Sequence, residues 1–270
     1  MAPRIALEQR RSRGLTPYKH EAWEYELTRH GLTSKYPSLS QDLVRGFDVG
    51  IPTINNTYIP PNHPSLSLLP EIYASITQKE FDAERYIGPF TQQELEEIIG
   101  PFQSSPLSLV PKPGKPGKYR PVHDFSHPYS TSNDIASINS YINIDNFPCT
   151  WGTFHAVALL FFRLPPGSRA SIRDVAEAYR TIPVLPSQWP GLVVRLQGED
   201  RFAVNTNNNF GLRSAGGVYG MLADAGADIF RANGIGPLSK WVDDHIFFQI
   251  RAAYLPKYNQ QRRNHARRLL

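Results

Sequence analysis

A short amphipathic segment after residue 90 has the clearest local signals in the sequence. Thr91 is followed three residues later by Glu94, which is the pattern of a capping box at a helix start. Apolar positions at Leu95, Ile98 and Ile99 follow at helical spacing, and Gly100-Pro101 ends the pattern. The sequence therefore predicts a helix over Thr91–Ile99.

The next apolar runs have the length and the β-branched or aromatic content of strands. Leu107–Val110 and Tyr119–Val122 flank the turn segment PKPGKPGK, so we predict a hairpin with a basic, glycine-containing tip. The rest of the chain alternates between helical and strand patterns. The predicted elements are a helix from Thr150 or Thr153 to about Arg163, a strand Arg169–Ile172 ending at Asp174, a helical turn Ala176–Tyr179, strands Ile182–Leu185 and Leu192–Leu196, a helix Ser214–Arg231, and a hairpin Lys240–Ile250. This order predicts an α+β fold.

The N-terminal part lacks such regular patterns. Residues 1–20 are basic and polar, and we predict that they are disordered. Residues 21–89 mix short apolar runs with Pro, Asn and Ser, which favours a loosely structured lead-in.

The positive charge is concentrated at the other end. The chain has a formal charge of +5, but six Lys or Arg and no acid follow His245, which leaves 23 basic and 24 acidic residues elsewhere. This basic tail is either a solvated, frayed terminus or a segment that contacts phosphates or acts as a nuclear signal.

Cysteine usage and hydropathy exclude several classes of protein. Cys149 is the only cysteine, so an intramolecular disulfide and a zinc site of several thiolates are both excluded. The N-terminus has no apolar stretch typical of a secretory signal, and the longest apolar run, Ala156–Phe162, is too short to cross a bilayer. We expect an intracellular protein, in the nucleus or the cytoplasm, that is neither secreted nor bound to a membrane.

Acidic residues at predicted strand ends are the first candidates for chemistry. Asp174 ends one strand, and Asp243-Asp244 lies at a tight turn between the apolar segments Trp241-Val242 and Ile246–Phe248. Carboxylate oxygens are ligands that Mg²⁺ prefers, and two like charges side by side cost free energy unless a cation compensates them. Alternatively, an Asp in a turn or after a strand serves only as a turn residue or a helix cap.

Two further segments have an ordinary and a functional interpretation. The predicted hairpin tip carries four cations, which are either solvated or a clamp for phosphates. Phe210-Gly211 and the following SAGG lead into a helix rich in small residues. These residues permit either tight helix packing or the close approach of a flat ligand such as a base pair. The four cations are Lys112, Lys115, Lys118 and Arg120.

Four segments occur in the order used by reverse transcriptases. SPLSLVPKPGKPGKYRPVHDFSHP resembles the fingers hairpin, SIRDVAEAYRTIPV the first palm motif, NFGLRSAGGVY the second, and KWVDDHIFF the third. The resemblance covers about residues 86–250. It implies right-hand polymerase fingers and palm with an antiparallel palm sheet, and an RNA-directed DNA polymerase that extends a primer by two-metal catalysis. Residues 1–85 are then a lead-in and residues 251–270 a basic tail.

The resemblance also implies roles for individual residues. Asp174 and Asp243, with the Val175 carbonyl, would hold two Mg²⁺ or Mn²⁺ ions, and Asp244 would be a supporting acid. Tyr179 would exclude a ribose 2′-hydroxyl. For the incoming deoxynucleoside triphosphate, Lys112 and Arg120 would contact the phosphates, while Phe210 and Gly211 would lie against the nucleotide. The implied partners are an RNA or DNA template-primer, deoxynucleoside triphosphates and other retroelement proteins.

A finer resemblance points to tyrosine-recombinase retrotransposons of the DIRS/Ngaro kind. It is carried by GPF before the hairpin, by HDFSHP followed by SNDIAS, and by RLPPGSRAS before the first palm motif. Trp241 stands where Tyr is usual, and Gly216-Gly217 replaces the usual Ala-Pro region. We find no signature of a thumb, so we expect a domain truncated after the third palm motif. Two alternatives stay open: a catalytically inactive remnant that binds nucleic acid, and an RNA-directed RNA polymerase, against which Tyr179 argues.

Overall fold

The computed structural model describes residues 2–130, 135–198 and 200–267. Its helices are α1 (Pro3–Ser12), α2 (His20–Arg29), α3 (Leu39–Arg45), α4 (Ser65–Leu68), α5 (Pro70–Asp82), α6 (Gln92–Ile99), α7 (Ile138–Tyr141), α8 (Phe154–Phe162), α9 (Ala215–Ala232) and α10 (Leu255–Arg267). Its strands are β1 (Tyr86–Phe90), β2 (Leu107–Pro111), β3 (Tyr119–His123), β4 (Arg169–Asp174), β5 (Val193–Arg195), β6 (Phe202–Asn205), β7 (Leu238–Trp241) and β8 (Asp244–Gln249). Short 3₁₀ segments lie at Ile144–Asn146, Ala178–Thr181, Pro186–Gly191 and Ala252–Tyr254.

The described strands form small antiparallel sheets. Their orders are β1-β6-β5, β2-β3 and β4-β8-β7. Helices and strands are thus mixed along the chain, and the predicted α+β class is confirmed. The main core lies between the sheet β1-β6-β5, helix α9 and the N-terminal helices.

The N-terminal segment is more ordered than the sequence predicts. Leu7 in α1, Leu27 in α2 and Leu39 in α3 are all buried in the main core. The prediction that residues 1–20 are disordered and that residues 21–89 are loosely structured was therefore wrong. Each of these helices fully buries only one or two side chains and carries charged residues between its apolar positions, so its apolar signal in the sequence is weak.

Local signals in the second half of the chain predicted most elements well. Thr91 and Glu94 form the capping box of α6. Thr153 rather than Thr150 caps α8, through a hydrogen bond from the backbone N–H of Ala156 to its side chain. The predicted hairpin is present as β2 and β3, and the predicted long helix is α9.

The predicted strand Ile182–Leu185 was wrong, and the predicted helical turn is displaced. Pro183 lacks a backbone N–H, and the Val184 carbonyl accepts a hydrogen bond from the indole of Trp189 at 2.9 Å. This segment therefore makes only isolated bridges, to Phe47 and to Asn207. The turn lies at Ala178–Thr181, because Glu177 has a left-handed backbone (φ 53°) that cannot belong to a helix.

Helix α8 presents an apolar surface. None of its residues is buried, and Phe154 and Phe162 are both 90% exposed. Phe161 packs edge-on against Phe248 at 4.8 Å between ring centroids, which attaches the helix to the sheet β4-β8-β7. Among the described helices, none is long and apolar enough to span a lipid bilayer.

Candidate active site

The sheet β4-β8-β7 brings the predicted acids to one edge. β4 pairs antiparallel with β8 so that Asp174 lies opposite Asp244. The backbone N–H of Val175 donates a hydrogen bond to the Asp243 carbonyl at 3.0 Å, which extends the pairing one residue beyond the strands. The backbone therefore holds Asp174, Asp243 and Asp244 together at the ends of neighbouring strands. In the sequence, Asp174 and Asp243 are 69 residues apart.

Asp243 lies in a two-residue loop with an unusual backbone. Trp241 and Asp244 are paired, so the loop consists of Val242 and Asp243 alone. Val242 has φ 50°, a left-handed conformation that costs free energy for a β-branched residue and that glycine would adopt readily. Backbone strain of this kind is found mainly at functional sites.

The charges of Asp174 and Asp243 affect nearby tyrosines. Burial raises the pKa of Tyr219, and the negative charges of Asp243 and Asp174 both raise it further. Burial and then the charge of Asp243 raise the pKa of Tyr179. Both acids thus lie near the Tyr219 phenol, and Asp243 also lies near that of Tyr179.

The donor set fits a divalent cation only with help from other oxygens. Within the described residues, no group of three or more His, Cys, Asp or Glu side chains is arranged to hold a metal ion. Mg²⁺, however, is usually bound through one or two carboxylates together with water and substrate phosphates. The carboxylates of Asp174 and Asp243 fit such a site, and the carbonyl of Val175, the residue after Asp174, is a further oxygen donor next to them in sequence.

Tyr179 and Phe210 form an aromatic wall near Asp243. Their ring centroids lie 4.5 Å apart with planes at 33°, and Tyr179 also contacts Tyr219 at 5.8 Å. Tyr179 is half-buried, whereas Phe210 is 52% exposed. The two aromatic rings predicted to meet a nucleotide therefore lie against each other.

The hairpin β2-β3 meets this wall at its base. Gly211 has φ 101°, and a Cβ atom there would lie 2.7 Å from the His123 carbonyl oxygen, so the close approach requires glycine. Lys112 and Arg120 lie at the far, exposed end of the hairpin. In the described part of the chain, no acid forms an ion pair with either of them.

Trp241 rests against a second tryptophan. Trp151 lies 6.3 Å from Trp241 between ring centroids, and the Lys240 ammonium lies 4.7 Å above the Trp151 ring. That ammonium also pairs with Asp224 at 3.1 Å and donates to the Thr150 carbonyl at 2.6 Å. These contacts attach the strand before the Asp243 loop to α9.

Small residues of α9 serve tight packing rather than an open floor. A Cβ atom at Gly217 would clash with Phe147, and one at Gly220 would clash with Cys149. Only at Gly216 would a Cβ atom lie near the aromatic wall, 3.5 Å from the Tyr179 hydroxyl.

Asn139 is a site residue that the sequence did not indicate. Its side-chain amide donates to the Gly211 carbonyl at 2.9 Å and to the Ser126 hydroxyl at 3.0 Å, while its oxygen accepts from the Arg213 N–H at 2.8 Å. One side chain thus holds the loop after Phe210 on both sides of Leu212. The contacts span more than 70 residues, and no local sequence signal indicates them.

Solved structures similar to this chain include viral reverse transcriptases. The native prototype foamy virus protease-reverse transcriptase is 16% identical with a TM-score of 0.52, and the foamy viral enzyme in complex with an RNA/DNA hybrid is 15% identical with a TM-score of 0.54. Each similarity covers 95% of this chain and 30% of the viral chain. No protein-family model and no curated protein matches the sequence. The similarities show a reverse transcriptase-like fold.

Proposed function

We propose that this chain is the polymerase domain of an RNA-directed DNA polymerase, which extends a primer with deoxynucleotides. The observation that carries the proposal is the backbone pairing that brings Asp174 and Asp243 together at one sheet edge, near Tyr219. In this proposal the sheet β4-β8-β7 belongs to the palm and the hairpin β2-β3 to the fingers. The similar foamy viral enzyme has been seen with an RNA/DNA hybrid, which supports a template-primer as the ligand.

In this proposal, different residues of the chain bind the metal ions, contact the phosphates and select the sugar. Asp174, Asp243 and the Val175 carbonyl would hold two Mg²⁺ or Mn²⁺ ions, with Asp244 in support. When bound, such ions supply Lewis acidity to the triphosphate and to the attacking 3′-hydroxyl. Lys112 and Arg120, which are exposed at the hairpin end, are free to contact phosphates from above.

Tyr179 supplies the sugar selection in this proposal. Its ring is held between Phe210 and Tyr219, so it cannot swing aside easily. In this role the ring would clash with a ribose 2′-hydroxyl and would accept deoxyribose. Phe210 and Gly211 form the adjoining surface against which the nucleotide lies.

Primer extension with Mg²⁺ or Mn²⁺ tests the proposal, on RNA and on DNA templates in separate reactions. Extension with deoxynucleotides is expected, and Asp243→Asn should abolish it. The matched control is Asp145→Asn, which alters an exposed acid of the segment Ile144–Asn146 and should leave extension unchanged. Extension that survives Asp243→Asn would remove the metal-ligand assignment.

Sugar selection has its own test. Tyr179→Ala should raise ribonucleotide incorporation by about tenfold or more, because a shape-selective pocket loses its discriminating contact. An unchanged preference would exclude the gate role while leaving the polymerase assignment in place.

A second candidate function is nucleic-acid binding without catalysis. It is favoured by the basic C-terminal segment, in which α10 carries most of the cations that follow His245. Binding of template-primer without extension would support it. We also propose, from the segments GPF, HDFSHP and RLPPGSRAS, that the chain derives from a DIRS/Ngaro-like element and acts inside the cell with other retroelement proteins.

A further inference from the structure

Four charged side chains form a closed ring around the turn that carries Tyr179. Arg85 pairs with Glu177 at 2.6 Å and with Glu80 at 2.8 Å, and Arg180 pairs with Glu80 at 2.7 Å. The ring closes through the backbone, because the Arg180 N–H donates to the Glu177 carbonyl at 2.7 Å. Glu80, Arg85, Glu177 and Arg180 are called the charge ring below. Its two ends lie on either side of Tyr179 in sequence.

The charge ring is largely removed from water. The side chains of Arg85 and Arg180 are 8% and 7% exposed, and that of Glu80 is 13% exposed. Glu177 is 43% exposed and also pairs with Lys79. Ion pairs with little solvent around them hold their geometry, since removal of one partner leaves the other charge poorly compensated.

Arg180 extends the charge ring to the second aromatic residue of the wall. Its guanidinium donates to the carbonyls of Asn207 and Asn208 at 3.1 and 2.9 Å, and to the Asn205 side chain at 2.9 Å. These residues lead directly into Phe210. One guanidinium therefore fixes both the turn that carries Tyr179 and the segment that carries its partner ring.

The backbone at Glu177 explains why the turn needs external support. Glu177 has φ 53° and ψ 36°, a left-handed conformation that glutamate seldom adopts. It reverses the chain after β4, so that Tyr179 faces Phe210 rather than following the strand direction. The pairs of Glu177 with Arg85 and Lys79 offset the cost of this conformation.

We propose that the charge ring positions Tyr179 and thereby sets the choice between deoxyribose and ribose. This proposal rests on the proposed function for the sugar choice, but the positioning of Tyr179 does not depend on activity. The four ring residues touch neither substrate nor reacting atoms in this scheme, and they are positioning residues.

Chemical modification of Tyr179 tests the positioning directly. Trypsin cleavage after Arg173 and Arg180 releases residues 174–180, in which Tyr179 is the only tyrosine. Acetylation of its hydroxyl by N-acetylimidazole is followed by mass spectrometry of that peptide in wild type, Glu177→Gln and Glu177→Gly. Glycine accepts the left-handed backbone without strain, so Glu177→Gly removes the ion pairs without blocking the fold.

A second glutamate provides a matched control. Glu84 also has a left-handed backbone (φ 54°) and pairs with an arginine, Arg10, at 3.0 Å, but in the described part of the chain no hydrogen bond or ion pair joins its side chain to the turn of Tyr179. Glu84→Gln should leave the acetylation rate of Tyr179 unchanged, whereas both Glu177 variants should raise it several-fold. Tyr36, which is 6% exposed and is alone in the tryptic peptide of residues 36–45, reports unfolding of the whole protein.

The same variants are then compared in primer extension. The ratio of kcat/KM for deoxynucleotide over ribonucleotide should fall about tenfold in the Glu177 variants, as expected for a slightly misplaced contact group. An unchanged acetylation rate in both Glu177 variants overturns the positioning role, whatever the activity. Faster acetylation with an unchanged sugar ratio, although Tyr179→Ala changes it, overturns the selection role. Absence of extension in wild type overturns the proposed function alone, because the acetylation result stands without it.

Discussion

Replacing Gly217 by alanine is expected to destabilise the protein, although alanine is the better helix former. Gly217 is the third residue of α9 and lies where this helix packs against Phe147, in the segment before α8. A Cβ atom at this position would lie 2.6 Å from the Phe147 Cβ and closer still to the Phe147 carbonyl oxygen. The neighbour is largely backbone, so it cannot turn aside as a flexible side chain would.

Two opposing terms set the size of the effect. Alanine in place of glycine inside a helix is favourable by about 1 kcal/mol. Inserting a methyl group into a filled contact costs about 1–3 kcal/mol, and contact with backbone puts Gly217 at the upper end. The net expectation is a loss of about 1–2 kcal/mol in the free energy of unfolding.

Gly226 in the same helix is the matched control. A Cβ atom there would meet only the edge of Trp23, at 3.4 Å, which is an ordinary van der Waals contact. Gly226→Ala should therefore gain up to about 1 kcal/mol, the full helix-propensity term.

The assay is urea unfolding followed by tryptophan fluorescence, with thermal melting as a second measurement. Gly217→Ala should move the midpoint down and Gly226→Ala should move it up, with melting shifts of about 2–4 °C per kcal/mol for a chain of this size. The reasoning would be refuted by Gly217→Ala at wild-type stability, or by equal destabilisation in both variants.

Two further predictions concern the hairpin β2-β3. Burial lowers the pKa of His123 in the folded protein to about 3. Between about pH 3 and about pH 6.5, the pKa of histidine in an unfolded chain, only the unfolded chain therefore binds a proton at this residue. The free energy of unfolding should thus fall as the pH drops from about 6.5 towards 3, by up to about 1.4 kcal/mol per pH unit. Urea midpoints measured from pH 7 to pH 4 test this expectation. An equally steep pH dependence of stability in His123→Gln would contradict it. Arg120→Gln should raise the KM for deoxynucleotide about tenfold, because a charged hydrogen bond to the phosphates is lost. Lys115→Gln at the same hairpin tip should leave the KM unchanged. Equal effects of both substitutions would indicate only a general attraction of the basic tip for phosphates.

Local signals explain which elements the sequence predicted. The capping box of Thr91 and Glu94 and the end at Gly100 need no distant partner, and α6 matches the prediction to within one residue. The N-terminal helices depend on distant partners instead. Arg10 of α1 pairs with Glu84, and Arg11 donates to the Ile98 carbonyl, contacts that span 74 and 87 residues. A helix that is held largely by such distant polar contacts has only a weak apolar pattern in its own sequence.

The candidate site shows the same difference between features with local sequence signals and features that depend on distant contacts. Asp174 ends a predicted strand and Asp243 lies in the turn of a predicted hairpin, so both acids could be predicted as candidates from local patterns, whereas the pairing of β4 with β8 that joins them comes from the fold. The charge ring could not, since the pairs of Glu177 with Arg85 and of Arg180 with Glu80 span 92 and 100 residues. Each of these residues by itself has the sequence appearance of an ordinary surface charge.

The loop of Val242 and Asp243 combines two features that do not stabilise the folded protein. A β-branched residue at φ 50° costs free energy that glycine would avoid, and three acids at one sheet edge repel one another. Neither feature fills a cavity or pairs a buried polar group, so stability gives no reason to keep them. Both have a reason if the loop must present Asp243 beside Asp174 to a cation that arrives with its substrate, because the cation then offsets the repulsion and the tight turn fixes the carboxylate.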